Sequence, residues 1–405
     1  MPAISVVIPV YNAAPFLREA LDSLLAQTCG DFEAIAVNDG STDNSLEILQ
    51  EYAARDSRIR ILDGPNGGYG KAMNRGMDAA TGKYMSILEP DDYLPREAYA
   101  VLLPLAEQHR LDVVKGTHCT FYEESGERKF QYVVPLRRPG EVFCPRRDLP
   151  GVFEFGPHIW TGLYSLEFLR KHGIRFHESP GASYQDTGFF FLTAAYAERY
   201  MLSDEVAYIY RTDNPNSSIN TVGAKKYVLL NEYEYIRDTL GRTPEVWDAL
   251  KKQFADNRFG GVLWVCSRIP RAEISTFISD IEQRITDWSV QDAPLYYQQR
   301  LRDFLSARSV DESQTFSPVQ ERRFLGGLVN LRMSVQETSY SIMGVPLLFR
   351  RRVQVPRLFK SDIVAMSDYV KEYRVAGITV ARAAMPRYAE WPNPQYVFAV
   401  CLMKS

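Results

Sequence analysis

The first 117 residues alternate apolar strand-like runs with amphipathic helical stripes, and that alternation constrains the fold more than any other feature. Ile4-Ser5-Val6-Val7-Ile8-Pro9-Val10 is almost continuously apolar, the pattern of a strand covered on both faces. Leu17, Leu21, Leu24 and Leu25 then share one helical stripe. Phe32–Val37 reads as a second strand, followed by a helix bearing Leu46, Leu49 and Ala53 with Asp43 as its N-cap. Ile59–Leu62, Tyr84–Leu88 and Asp112–Gly116 read as further strands. Met73, Met77 and Ala80 mark a helix after the loop Gly64-Pro65-Asn66-Gly67-Gly68. Strands alternating with helices predict an α/β domain with a mostly parallel, Rossmann-like sheet and right-handed crossovers. Ligands of such sheets sit beyond the carboxyl ends of the strands, where Asn12, Asp39 and Asp91 all fall.

A chain of 405 residues is too long for one typical domain. Three regions are expected: an α/β catalytic domain over 1–222, a helical region with a linker over 223–318, and a small basic mixed α/β region over 319–405. Trp160–Leu169 reads as a strand or turn entering a short helix, Thr187–Arg199 as an aromatic-rich helix, and Val206–Arg211 as a strand. Pro135 to Pro150 reads as a loop at the rim of the site. The net charge of −3 gives no global pull toward nucleic acid. Five scattered cysteines (Cys29, Cys119, Cys144, Cys266, Cys401) without Cys-x-x-Cys spacing argue for reduced thiols in a cytoplasmic setting. No stretch approaches the ~18 apolar residues of a membrane span. The apolar N-terminus lacks a basic lead and reads as a first strand, not a secretion signal.

The chemistry begins at Glu89-Pro90-Asp91-Asp92, three carboxylates in four residues directly after a strand. Like charges this close repel, so the cluster is costly unless a cation neutralises it. A hard divalent ion, Mn²⁺ or Mg²⁺, held by oxygens and bridging the phosphates of a nucleotide, suits it. The glycines at 67, 68 and 70 let backbone approach a ligand closely, and Lys71 or Arg75 would neutralise phosphate. The histidines at 109, 118, 172 and 177 lack metal-ligand spacing and read as structural or surface residues.

Four segments, Val6–Asn12, Val37–Asp43, Asn66-Gly67-Gly68 with Asn74-Arg75-Gly76, and Glu89-Pro90-Asp91-Asp92, occur in an order and spacing that resemble the inverting glycosyltransferases of family 2, with a GT-A fold. The resemblance covers residues 1 to about 220. It implies that Pro9 and Tyr11 flank the nucleotide base, that Asn12 binds the nucleotide sugar, and that Asp39 accepts from a ring N–H, residue types that suit uridine. It implies that Gly68, Lys71, Asn74 and Asp91 contact the nucleotide sugar, and that Asp91 and Asp92, with Glu89, hold the metal. The family motif is usually written Asp-x-Asp-Asp, so Glu89 departs from it. Downstream, Ser183-Tyr184-Gln185-Asp186-Thr187 matches the segment that carries the general base, with Gln185 where a Glu is usual and Asp186 keeping the carboxylate. Trp160, in His158-Ile159-Trp160-Thr161-Gly162, matches the wall of the sugar pocket, and Arg211 opens the loop that closes over the diphosphate.

Between Arg322 and Lys360 stand eight basic residues (Arg322, Arg323, Arg332, Arg350, Arg351, Arg352, Arg357, Lys360) against one acid, Glu337. With Val345-Pro346-Leu347-Leu348-Phe349 among them, the stretch suits peripheral contact with an anionic membrane surface. The expected activity is therefore metal-dependent transfer of a sugar, with inversion, from a UDP-sugar to the hydroxyl of a glycan or lipid-linked glycan in surface polysaccharide synthesis. Asp186 acts as base, in a cytoplasmic protein at the inner membrane face. The rivals are a non-catalytic nucleotide-sugar-binding or scaffold protein, marked by Glu89 and Gln185, and a nucleotidyltransferase. The second lacks its glycine-rich, lysine-bearing loop after the first strand.

Overall fold

The computed structural model describes residues 1–124, 127–132, 139–154, 156–215, 217, 225–285, 298 and 301, and seven strands between 320 and 384. The chain divides into two compact units, the first comprising Met1–Val265 and, among the later described residues, 277–285 and 298.

The first unit opens with strand and helix in strict alternation: β1 (Ile4–Val10), α1 (Ala14–Leu25), β2 (Phe32–Asp39), α2 (Ser45–Arg55), β3 (Ile59–Gly64), α3 (Tyr69–Ala79), β4 (Tyr84–Ile87) and α4 (Ala98–Gln108). Next come β5 (Val113–Glu124), β6 (Glu127–Tyr132), β7 (Val142–Phe143), α5 (Pro145–Asp148), β8 (Gly162–Ser165), α6 (Leu166–Lys171), α7 (Gln185–Tyr196) and β9 (Tyr200–Arg211). The sheet order is β3-β2-β1-β4-β8-β5-β9-β7, with β6 paired to β5. β3, β2, β1 and β4 are all parallel, β8 enters antiparallel between β4 and β5, and β5 is again parallel to β9. The fold is therefore the expected α/β class, with a mixed sheet.

β1 lies wholly buried at the centre of the parallel half. Pro9 is tolerated there for a geometric reason. The Val7 carbonyl accepts from Leu88 N–H at 3.1 Å, so Pro9, two residues on, faces the same side beyond the end of β4, where no ladder bond is required. Leu17, Ala20, Leu21 and Leu24 of α1 and Leu49 and Tyr52 of α2 close one face of the sheet.

Several boundaries moved from expectation. Asp43 is not the N-cap of α2; Asn44 occupies that position, while the Asp43 carboxylate accepts from Ala14 N–H and Ser45 N–H at 3.0 Å each. β5 and β9 each run 12 residues, far past the expected cores, because they pair with one another along most of their length. α7 starts at Gln185 and ends at Tyr196.

Helices α8 (Val228–Leu240) and α9 (Pro244–Cys266) belong almost wholly to this same unit, which does not end at 222. Tyr235 donates from its hydroxyl to the Arg175 carbonyl at 3.0 Å, and Glu232 reaches His177. α10 (Arg271–Arg284) follows.

Within 300–389, part of the second unit, the described residues form two antiparallel sheets. One joins Gln320–Phe324, Val329–Met333, Thr338–Ile342 and Val345–Phe349; the other joins Asp362–Ser367, Val370–Val375 and Ile378–Ala384. The expected linker over 286–318 lies almost entirely outside the described residues, as do Arg350, Arg351, Arg352, Arg357, Lys360 and Cys401. No helix among the described residues is long and apolar enough to cross a membrane.

Candidate active site

The loops at the carboxyl edge of the parallel strands are tied to one another by their own polar side chains. Asn12, just after β1, has a φ of 51°, the left-handed conformation that Asn tolerates better than most residues. Its Oδ1 accepts from Thr42 N–H at 2.7 Å, and its own N–H donates to Ser41 Oγ at 3.1 Å. Asp39 ends β2 and is buried; its two carboxylate oxygens accept from Gly67 N–H at 2.8 Å and Gly68 N–H at 2.9 Å. Tyr11, 52% exposed, stands open beside this loop.

Gly68 caps α3 with a φ of 87°, and a Cβ there would lie 3.0 Å from the backbone of Gly181. At Gly70 a Cβ would fall 2.0 Å from the His177 carbonyl oxygen. Glycine is thus required where α3 meets the segment 176–181. Asn74, also on α3, is spent on that same segment, bonding both main-chain groups of Phe176. Lys71 is exposed and lays its alkyl chain over Gly67, while Arg75 donates to the Asp63 carbonyl at 2.9 Å.

The acidic segment follows β4. Glu89 Oε1 accepts a 2.6 Å bond from the Tyr69 hydroxyl, and Glu89 N–H donates to the Tyr208 hydroxyl at 2.9 Å. Enclosure of its carboxyl group, with the charges of Asp91 and Asp186 nearby, pushes Glu89 up to about 8. Asp91 Oδ2 accepts from Asn214 Nδ2 at 2.8 Å. Asp92 is buried; Oδ1 accepts from Arg211 N–H at 2.7 Å, whereas Oδ2 has no hydrogen bond of ordinary geometry. Burial, then Asp91, raises its pKa well above the carboxylate range.

Arg211 is itself buried. Its guanidinium donates to Glu19 Oε2 at 2.6 Å and the Asp91 carbonyl at 3.0 Å, between the rings of Phe16 and Phe121 at 4.7 and 4.5 Å. It braces the acidic segment and has those donors committed. Trp160 stacks on Tyr208 and Tyr210, with ring centroids 4.4 and 5.3 Å away.

Tyr184 is left-handed, with a φ of 65°, and turns the chain into α7 so that Asp186 lies in its first turn. Asp186 Oδ1 accepts from Thr187 N–H at 2.8 Å. Burial raises its pKa to about 6, against the pull of that N–H and of Lys115. Glu89, Tyr69 and Lys115 all feel its charge, so the residues of the acidic segment and Asp186 share one locale. Gln185 points the other way: Nε2 donates to Ser179 Oγ at 2.9 Å and to the Gly181 carbonyl, and Oε1 accepts from Ser183 N–H at 2.6 Å. It shapes the loop that presents its neighbour.

Residues 5–168 match the family described as Glycosyl transferase family 2. The chain carries a family 2 glycosyltransferase domain. Over 222 residues the chain is 38% identical to EpsJ of Bacillus subtilis, described as an uncharacterized glycosyltransferase, covering 54% of this chain and 63% of that protein. It is 34% identical over 228 residues to YibD of Escherichia coli, a relative with the same description, covering 53% and 65%. The chain thus spans less than two thirds of these relatives' own length. Among solved structures, the mannosyltransferase PcManGT of Pyrobaculum calidifontis, in complex with GDP-Man and Mn²⁺, aligns at 18% identity and a TM-score of 0.47, covering 75% of this chain and 81% of that one.

Within the family 2 domain and the helices that follow, several site neighbours carried no sequence signal. Tyr69, Lys115, Tyr208 and Glu232 belong to no motif. Glu232, from α8, accepts from Ser179 Oγ at 3.3 Å and lies 2.8 Å from His177 Nδ1; burial raises it to about 8. Only an aromatic and polar alternation along β9 hinted at Tyr208.

Proposed function

We propose that this domain transfers a sugar from a nucleoside diphosphate sugar to a hydroxyl acceptor with inversion at C1. The observation that carries the reading is that Tyr69 ties Glu89 to the segment bearing Asp186, 97 positions on: its hydroxyl donates to Glu89 at 2.6 Å and its N–H to the Gly181 carbonyl at 3.0 Å. In the step, the acceptor oxygen attacks C1 on the face opposite the diphosphate. The C1–oxygen bond to the diphosphate breaks, and its electron pair leaves with the phosphate oxygen. Asp186 takes the acceptor proton, a contribution of about 10²–10⁴ in rate. A carboxyl titrating near 6 is a stronger base than an ordinary aspartate yet still ionised at neutral pH. Its place in the first turn of α7 favours the ionised form.

The nucleoside is read as uridine, stacked on Tyr11 with Pro9 and Asn12 beneath, and Asp39 keeps lone pairs beyond the two it commits to Gly67 and Gly68. Gly68 and Lys71 would meet the diphosphate. A divalent cation fits the acidic segment: Asp92 Oδ2 is a buried, unbonded oxygen, and Glu89 and Asp92 are destabilised as anions by burial and by Asp91. Among the described residues no three acidic, His or Cys side chains are gathered as a ready cage. That agrees with an ion held by one or two carboxylates plus substrate phosphates. Asp91, with Asp92 or Glu89 as the second carboxylate, would hold it; when bound, Mn²⁺ or Mg²⁺ would neutralise charge on the departing diphosphate. The acceptor is read as a surface glycan or lipid-linked glycan, with residues 322–360 touching the membrane.

The test is Asp186→Asn. Transfer from UDP-sugars should fall by at least about 10²-fold while UDP affinity stays within about twofold. Undiminished turnover removes Asp186 as the base. Nucleotide-sugar binding without transfer or hydrolysis in the unaltered protein, with Mn²⁺ supplied, would favour a binding protein instead.

A further inference from the structure

Lys115 sits in the middle of a buried sheet, on β5 between β8 and β9, and is only 6% exposed. Among the described residues no hydrogen bond or ion pair reaches its ammonium; a Phe190 ring lies 5.3 Å away. His118, on the same strand, is also 6% exposed, and its ring sits 4.5 Å from that of His158 and 4.8 Å from that of Trp160. His158 is 5.3 Å from Trp160. Among the described residues neither imidazole is paired with an acid. His118 and His158 thus meet at the aromatic wall formed by Trp160, Tyr208 and Tyr210, and Lys115, three residues before His118 on β5, lies near enough for its charge to act on both.

An unpaired buried ammonium is destabilising, and a leucine would fill the same space without that penalty. The arrangement makes sense if a ligand supplies the missing acceptor. An ammonium only donates, so what Lys115 lacks is an acceptor oxygen, and the acid whose charge reaches it is Asp186. We propose that Lys115, His118 and His158 form an anion-binding corner of the saccharide site, selecting a sugar that bears a carboxylate or phosphate. The inference rests on the glycosyltransferase reading and names the substrate class of that same site. The anionic sugar is either the one transferred or the terminal residue of the acceptor.

Titration agrees with this geometry. Burial lowers Lys115 to about 7 and His118 to about 4, and burial with the neighbouring bases lowers His158 as well. Near pH 7 the two imidazoles are therefore neutral and Lys115 is about half protonated. An arriving anion favours the protonated forms, so it binds with proton uptake, and its affinity rises as pH falls. Asp186, on α7, is the opposing charge: it competes for Lys115 above about pH 6 and is relieved below it.

The experiment is equilibrium binding to the full chain, with Mn²⁺ present, with and without UDP, at about pH 6.5 and 8.5. Paired probes separate the sources: UDP-glucuronate against UDP-glucose for the donor, and methyl β-glucuronide against methyl β-glucoside for the acceptor. Glucose 6-phosphate against glucose tests phosphate. In at least one pair the anionic probe should bind about tenfold more tightly at the lower pH, with the advantage shrinking at the higher. Lys115→Met should abolish that advantage and leave UDP affinity unchanged; His118→Phe, which keeps the ring, should narrow it. Thermal unfolding checks that both variants fold. Equal affinity within every pair, or an advantage that survives in Lys115→Met, overturns the proposal. If UDP itself does not bind, the transferase reading falls, while the glycoside pair still decides the anion corner.

Discussion

Asn74 grips Phe176 by both main-chain groups. Its Nδ2 donates to the Phe176 carbonyl at 2.9 Å, its Oδ1 accepts from Phe176 N–H at 3.0 Å, and Nδ2 also meets Glu178 Oε1 at 2.9 Å. One buried amide on α3 therefore fixes the path of the segment that leads to Asp186. Replacing it with Ala leaves a buried N–H and C=O unbonded, at about 1–3 kcal/mol each. Asn74→Ala should unfold several degrees lower and lose transfer more than UDP affinity, read by thermal unfolding and UDP titration. A loss confined to UDP affinity would return Asn74 to the nucleotide.

Gly70 makes the same junction from the backbone side. A methyl group there would overlap the His177 carbonyl, and backbone cannot swing away as a side chain can. Gly70→Ala should cost at least about 1–3 kcal/mol in stability. The control is Gly173→Ala: a Cβ there meets nothing, so its cost is that of φ +60° alone.

Glu89 offers a test by pH. Its folded pKa of about 8 lies above the ordinary 4.5, so the folded state holds the proton more tightly than the unfolded chain. The resulting stability is fully present below about pH 4.5 and is lost as pH rises through about 8. Glu89→Gln mimics the protonated form. Its melting temperature relative to the unaltered protein should therefore climb between about pH 5 and 9, and Mn²⁺ should close the gap in the unaltered protein alone. A pH-independent difference would contradict the raised pKa.

Asp186 predicts the acid limb of the rate. A base titrating near 6 makes turnover rise with pH through about 6 and then level. Gln185→Glu exchanges the donor that faces Ser179 and the Gly181 carbonyl for a carboxylate beside Asp186 and Glu232. That variant should lose stability and shift the acid limb to higher pH, because added negative charge raises the pKa of Asp186 further.

Arg211 is a brace, and its removal should show as such. Arg211→Met removes one partner of Glu19 and the donor to the Asp91 carbonyl, at about 1–3 kcal/mol. Thermal unfolding should report most of the loss. A fully stable variant with weakened UDP binding would instead assign the guanidinium to the diphosphate.

The parallel half of the sheet was readable because its signals are local. The runs at Ile4–Val10 and Phe32–Asp39 and the stripe at Leu17, Leu21 and Leu24 report burial directly through periodicity. The lengths of β5 and β9 were not readable, since each is extended by pairing with the other across about 90 residues. The expected N-cap at Asp43 missed by one position because that carboxylate also serves Ala14, far away in sequence. At the site, Asp39, Glu89–Asp92 and Asp186 stood out as acids at loop positions. Tyr69, Lys115 and Glu232 did not, being residue types common on any surface.

From the order of residues alone follow the α/β class, the carboxyl edge where the loops gather, and the acids available there. These depend on neighbours a few positions apart, through steric preference and the periodic burial of apolar side chains. Folding alone decided which acid stays protonated, that Asn74 and Arg211 are consumed as braces, and that a lysine is buried with no ion pair among the described residues. Those are matters of desolvation and hydrogen-bond supply, and both are set by groups that the chain brings together from tens of residues to well over a hundred away.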